Sequence, residues 1–317
     1  MAEVCNTRVL TLDIGGSHIS AALCMGIDLH LGPVASAHYG NVTTSEGFVN
    51  LVGDLAAKAA DGKGYGIGAT FAFPAPFDYD AGISMMRHKL PYLYGFDLRG
   101  ALAAKLGCDP CQVRFLNDAD AYLLGEVAAG AANGFARAVG LTLGTGIGSA
   151  FAVNGRLVTV GPGVPKDGEI WNVPYENGIV EDFVSSRAIA GNYQRRTGKT
   201  IPVTEIAAAV PHDVDAREAF AEFGHHLGQV IGSLLGDFRA DVVVLGGGIS
   251  RSAEIFLPIT RAEVPSRNMQ IRVSALLDCA PLVGCAAATY TGLRETKTSH
   301  SGSTIATSTY PADRASS

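Results

Sequence analysis

The chain has 317 residues, 47% of them apolar and 17% charged, enough for a large core and an interdomain cleft, and general disorder is excluded. Thirty acidic against twenty-four basic residues leave a formal charge of −6, which argues against a nucleic-acid or membrane-surface binder. No run of about 18 apolar residues occurs, and Met1 to Asn6 lack a basic stretch followed by a long apolar one, so a cytoplasmic protein is expected.

Arg8 to Asp13 and His18 to Cys24 read as two strands joined by Gly15-Gly16; in the second, Ile19, Ala21 and Leu23 alternate with smaller or polar residues. Phe48, Leu51, Val52, Leu55 and Ala56 follow helical spacing. A strand is expected over Gly66 to Phe73, then a loop rich in proline and aromatics to about Phe96, then a helix over Leu98 to Leu106. The six cysteines are too few and scattered for a disulfide framework, and Cys108-Asp-Pro-Cys111 reads as two reduced thiols at a loop. Val113 to Leu116 reads as a strand running into a helix from about Ala119 to Ala129.

The second half begins similarly: a strand over Val139 to Gly144, a glycine turn, a strand over Ser149 to Val153, and an Asn154-Gly155 turn into Arg156 to Val160. Phe220, Phe223, Leu227, Val230, Ile231, Leu234 and Leu235 mark a long buried helix; Asp241 to Leu245 and Ile271 to Ala275 are further strands. His225 and His226 lie in that helix, where adjacent side chains point about 100° apart, so chelation by the pair is not expected. Past Glu295 the chain turns Ser/Thr-rich and is expected to hang free. Thr11 to Leu23 and Thr142 to Val153 share the plan strand, glycine-rich turn, strand; a duplicated α/β fold would set one such turn in each lobe across a cleft.

Three glycine turns follow apolar strands. Asp13-Ile-Gly15-Gly16-Ser17 ends a strand with a carboxylate and exposes backbone N–H groups that can cradle phosphate, with Asp13 placed to hold a hydrated Mg²⁺; the other reading is an ordinary hairpin. Gly144-Thr145-Gly146 adds a hydroxyl that can donate to phosphate, and Gly246-Gly247-Gly248 would let a nucleobase or ribose lie against backbone. A P-loop fails, because Gly198-Lys199-Thr200 is preceded by Tyr193 where glycine is needed; a dinucleotide fingerprint fails on glycine spacing and on the strands that follow the turns. Asn117-Asp118 sits at a strand-to-helix junction. There Asn and Asp serve as helix caps, or Asp118 is a general base taking a proton from an attacking hydroxyl that Asn117 orients. Phosphoryl transfer needs positioning, a base and a metal near the phosphates, and these residues can supply all three.

Together these segments resemble the ROK family of sugar kinases over roughly residues 8 to 295: Asp13-Ile-Gly-Gly-Ser17, Pro74-Ala-Pro-Phe-Asp78, Asn117-Asp118, Leu143-Gly-Thr-Gly-Ile-Gly148, Gly168-Glu169 and Leu245-Gly-Gly-Gly248. The resemblance implies the two-lobed actin-like (duplicated ribonuclease H-like) ATPase fold, with lobes over 1–118 and 119–295. It also implies a last helix, about 281–295, packing back on the first lobe, ahead of a disordered tail over 296–317. The implied activity is ATP- and Mg²⁺-dependent phosphorylation of a hexose 6-hydroxyl, most simply glucose, with Asp118 as base and Asn117, Glu169 and Glu181 as sugar ligands; homodimers are the family's habit. Departures bear on substrate. Between Glu169 and Glu181 there is no cysteine or histidine, so structural zinc is not expected, and Asn172 stands at the offset of the family's histidine. This shortened loop is similar to that of polyphosphate glucokinases, which keeps donors other than ATP open; fructose, mannose, allose and N-acetylated sugars stand as alternative acceptors. Trp171 either stacks on a sugar face or anchors core; Lys89, where an amide is common, is either a rim residue or part of a solvated basic turn. The other class of function is a sugar sensor without catalysis. Family repressors carry an N-terminal helix-turn-helix, for which a first strand at Arg8 leaves no room, so a sensor would be DNA-free.

Overall fold

In a computed structural model, which describes residues 7–16, 18–87, 89–264 and 269–299, the chain builds two sheets of matching plan. The first holds β1 (Arg8–Ile14), β2 (His18–Met25), β3 (His30–Leu31), β4 (Ala35–His38), then after α1 (Ser45–Ala60) β5 (Ala69–Phe73), and after the β6–β7 hairpin (Phe77–Asp78, Ile83–Ser84) and α2 (Leu98–Leu106) β8 (Val113–Asn117). Its order is β3-β2-β1-β5-β8, with β4 also on β2; β1 and β2 are antiparallel, while β1, β5 and β8 run parallel. The expected strand over Gly66 to Phe73 starts only at Ala69, because Gly66 and Gly68 have positive φ and turn the chain into the sheet.

Helix α3 (Asp118–Ala129) follows β8 directly, and the second sheet begins with β9 (Arg137–Leu143), β10 (Ile147–Val153) and β11 (Arg156–Leu157). After the β12–β13 hairpin (Pro174–Tyr175, Gly178–Ile179) come α4 (Val180–Phe183), α5 (Ser186–Thr197), α6 (Val203–Ala209) and α7 (Val214–Ser233). The chain closes with β14 (Val242–Gly246), α8 (Ala253–Glu263), β15 (Gln270–Val273) and α9 (Ala280–Ser299). The order β11-β10-β9-β14-β15 repeats the first sheet: an antiparallel hairpin, then two parallel strands. The two similar sequence segments are the leading hairpin of each sheet. Helix α7 begins at Val214, ahead of the apolar series, because Asp213 caps it by accepting from the Asp215 and Ala216 amides. Helix α9 runs on to Ser299 where a free tail was expected from 296; residues 300–317 lie outside the described ones.

One core lies between the first sheet and α1 with α2, around Phe48, Phe71, Phe73 and Leu102; a larger one joins the second sheet to α7 and α8 through Phe151, Phe220, Phe223, Phe238 and Phe256. Helices α3 and α9 pair between the sheets. Ala121 and Cys285 meet Ala72 of β5, Ala286 and Tyr290 meet Val9 and Cys24, and Tyr122 and Leu123 meet Val242 and Val244 of β14. The two helices touch backbone to backbone: a Cβ on Gly125 would lie 2.0 Å from the Ala280 carbonyl oxygen, and one on Gly284 1.8 Å from that of Ala121. No L side chain fits at either position.

Candidate active site

Parallel pairing sets the site. Asp13 on β1 is in register with Ala72 on β5, and Phe73, one residue on, with Asn117 on β8, so Asp13, Asn117 and Asp118 emerge at one carboxyl edge of the sheet. Such an edge is where open α/β sheets bind ligands. Asn117 caps α3, its Oδ1 accepting from the amides of Ala119 (2.9 Å) and Asp120 (3.3 Å). Its Nδ2 donates to the Tyr79 hydroxyl (3.2 Å), which donates in turn to the Phe73 carbonyl (2.9 Å). Capping and site-building are thus one arrangement: the cap orients the amide and leaves one Nδ2 hydrogen unengaged. Asp118 accepts from the Ala119 amide through Oδ1 (2.9 Å) and has Oδ2 to spare.

Electrostatics tie these groups to others. Burial pushes the Asp118 carboxyl above its ordinary value, opposed by the Ala119 amide and by the Lys89 ammonium, while Glu169 adds to the rise. Asp13 is pushed up to about 7 by burial, then by the charges of Asp118 and Asp278. Asp120 rises to about 6, from burial and then from Asp118 and Glu169. Asp13, Asn117, Asp118 and Glu169 are therefore brought together. Lys89 is exposed, and its charge reaches Asp118 from there.

The sugar-side loop is less uniform. Glu169 accepts from Trp171 Nε1 (2.8 Å), and Trp171 is 40% exposed, so the tryptophan is no core anchor. Glu181 is held by Arg187 (2.5 Å) and accepts from the Ile147 amide (3.3 Å), which lays it against the second glycine turn; a Cβ on Gly146 would strike it at 2.1 Å. Asn172 is exposed and makes no hydrogen bond among the described residues.

In the turn after β9, Gly144 N–H donates to the Gly146 carbonyl and its own carbonyl accepts from the Ser186 amide, leaving the Thr145 and Gly146 amides without partners among the described residues. In the turn after β1, Gly15 donates to the His18 carbonyl, its carbonyl accepts from Tyr39, and Gly16 stands exposed at the tip; Ser17 lies outside the described residues. In the third turn Gly246 is buried, where a Cβ would meet the Tyr122 ring at 2.4 Å, so close packing already requires glycine there. Gly247 (φ 78°) crosses the Leu143 backbone, which sets the third turn beside the second, and Gly248 is open to solvent.

No hydrogen bond among the described residues reaches the Asp13 carboxylate, and its neighbours are acids, a setting that a cation would relieve. Among the described residues no three His, Cys, Asp or Glu side chains converge on a common ion, so Asp13 fits a Mg²⁺ completed by phosphate and water oxygens. Away from the site, His225 bonds Glu263 (2.7 Å) and His226 bonds the Tyr175 hydroxyl (2.9 Å), each with its own partner. Among the described residues no helix is long and apolar enough to cross a membrane.

Sequence reasoning missed three members. Tyr79 lies in the proline-rich loop, where nothing marks it. Asp120 reads as a helix-dipole residue. Asp278 reaches Asp13 from the short turn before α9 and is paired with Arg251 (2.5 Å).

The model of the ROK family matches residues 9–289. An N-acetyl-D-glucosamine kinase of Pectobacterium carotovorum subsp. carotovorum is 29% identical over 82% of this chain and 89% of its own length. A glucokinase of Thermotoga maritima is 27% identical over 76% and 84%. The crystal structure of a ROK family glucokinase from Streptomyces griseus, in complex with glucose and AMPPNP, superposes with a TM-score of 0.74 at 21% identity, covering 89% of this chain and 98% of that one.

Proposed function

The chain belongs to the ROK family and is a sugar kinase with the actin-like ATPase fold, and we propose that it transfers the γ-phosphoryl group of ATP to the 6-hydroxyl of a hexose, glucose first. The observation that carries this reading is the placement of Asp118: a partly buried carboxyl, raised in pKa, beside Asp13 and Glu169.

In the proposed mechanism Asp118 Oδ2 takes the proton of the sugar hydroxyl as it attacks phosphorus. A raised pKa makes the carboxylate a better base, typically worth ~10²–10⁴ in rate. The free Nδ2 hydrogen of Asn117 and Oε1 of Glu169 hold ring hydroxyls, and Asn172 completes the rim. Glu181 joins them by exchanging Arg187 or the Ile147 amide for a hydroxyl. Thr145, Gly146 and Gly16 present amides to the phosphates, Gly15 joining them by giving up the His18 carbonyl, with Gly247 and Gly248 beside the nucleoside. Mg²⁺ held through Asp13 would neutralise phosphate charge. The lobes, divided at 118 and 119 with α9 on the first, close over both substrates. In the cytoplasm the free thiols of Cys24, Cys108, Cys111, Cys279 and Cys285 stay reduced.

A second acceptor, N-acetylglucosamine, is favoured by the likeness to the Pectobacterium kinase. A coupled assay with ATP against glucose, N-acetylglucosamine, fructose, mannose and allose, repeated with polyphosphate as donor, ranks the substrates. Asp118→Asn should bind sugar as the wild type does and turn over ~10²–10⁴-fold more slowly. Near-wild-type turnover removes Asp118 as base; no turnover on any pair makes the protein a sensor.

A further inference from the structure

Beside β8, an edge strand of the first sheet, lies an open cavity of about 430 Å³ whose lining includes none of the three glycine turns. Arg99, Arg114, Cys111, Thr289 and the Tyr79 ring line it. Arg99 is spent on structure, donating to the carbonyls of Val113, Tyr79 (3.0 Å) and Asp80 (3.0 Å). Arg114 is not. Its Nη1 is buried without a hydrogen-bond partner, and no ion pair among the described residues neutralises either guanidinium. Asp80 brings a carboxylate to the cavity wall but pairs with neither arginine. A buried donor left unmade is costly, more so when charged, and the planar fork of arginine matches two oxygens of a carboxylate or phosphate.

We propose that this cavity is an anion-binding site, distinct from the glycine turns, that takes a small phosphate or carboxylate on Arg114. Occupancy is read at the sugar site. Tyr79 forms one wall, its carbonyl is held by Arg99, and its hydroxyl accepts from Asn117 Nδ2. An anion on Arg114 crowds that wall and with it the amide beside Asp118. This second step rests on the sugar-kinase reading; the binding step does not.

The test uses the full chain with its glycine turns saturated by MgADP, and calorimetric titration of inorganic phosphate and, separately, malonate, against sodium chloride as control. One further site with a dissociation constant in the millimolar range or below is expected, weakened at least tenfold in Arg114→Gln and several-fold in Arg114→Lys, which keeps the charge and loses the fork. Binding of phosphate alone, malonate alone or both identifies the anion and supports the site. No heat beyond the chloride control, or equal affinity in both variants, overturns it. The Arg114→Lys protein also guards against misfolding, since its melting temperature should match the wild type's. For the second step, the affinity for the best sugar of the panel is measured without nucleotide, with and without the anion. At least a twofold shift is expected in the wild type and none in Arg114→Gln. An unchanged affinity overturns the coupling while leaving the Asp118→Asn result, and the kinase reading, untouched.

Discussion

Replacing Asp13 by asparagine should make the unliganded protein more stable at alkaline pH while damaging its use of Mg²⁺. The fold raises this carboxyl from 3.8 to about 7, through burial and the neighbouring charges of Asp118 and Asp278. A raised carboxyl binds its proton more tightly folded than unfolded, so its favourable contribution is full below about pH 4 and is lost as pH climbs towards about 7. Three units at ~1.4 kcal/mol each bound the loss at about 4 kcal/mol by pH 8. Asparagine has the same shape and no charge to desolvate, and no hydrogen bond among the described residues depends on the carboxylate. Because each kcal/mol moves Tm by about 2–4 °C in a chain of this size, scanning calorimetry should find Asp13→Asn several degrees above the wild type at pH 8 and level with it near pH 4. Adding MgATP should narrow the gap by stabilising the wild type alone. A gap of equal size at both pH values, or a wild type that is the more stable at pH 8, would refute the reasoning.

The acid limb of kcat/KM should lie above the ordinary carboxylate range, because protonating Asp118 removes the base and its pKa is raised by burial; a limb at or below about pH 4 in a pH–rate profile would contradict this. Trp171 is the single tryptophan and is bonded to Glu169, so a titration with the preferred sugar should change intrinsic emission; unchanged emission at saturation, with activity intact, places both residues outside the sugar site. Gly284→Ala would force a Cβ to 1.8 Å from the Ala121 carbonyl, and overpacking of this kind costs about 1–3 kcal/mol. Calorimetry should show the lowered Tm, and an unaltered one would mean that the α3–α9 contact yields easily.

Much of the fold was legible because its signals are local. Apolar strands ending in glycine turns located β1, β9 and β14, and an Asn-Asp pair at a strand end marked the start of α3. Helices α5, α6 and α8 were not read: α5 is polar over most of its length, from Ser186 to Thr197, and buries only Ile189, Asn192 and Tyr193, too few to show a stripe. The site divides the same way. Asp13, Asn117 and Asp118 carry their own local context, whereas Asp278 acts on Asp13 across more than half the chain and Tyr79 reaches Asn117 from an irregular loop. The commitment of Glu181 to Arg187, six residues on and in the next helix, depends on side-chain directions that spacing does not give. The sequence leaves Lys89 between a rim residue and a solvated turn; a long side chain can be exposed and still act on a carboxyl, so the two readings do not exclude each other.

The glycine contact between α3 and α9 has a mechanical corollary. Backbone against backbone at Gly125 and Gly284 leaves no compliant side chain between the two helices, so a displacement of α9 is passed on to α3, which begins with Asp118. Asp118 opens α3 and Gly125 lies seven residues on, a lever of about 10 Å at 1.5 Å per residue. A tilt of about 10° at that fulcrum sweeps the carboxylate by about 2 Å, and misplacement of even about 1 Å can cost a hundredfold in rate. The placement of residue 118 is thereby geared to how tightly α9 seats against α3.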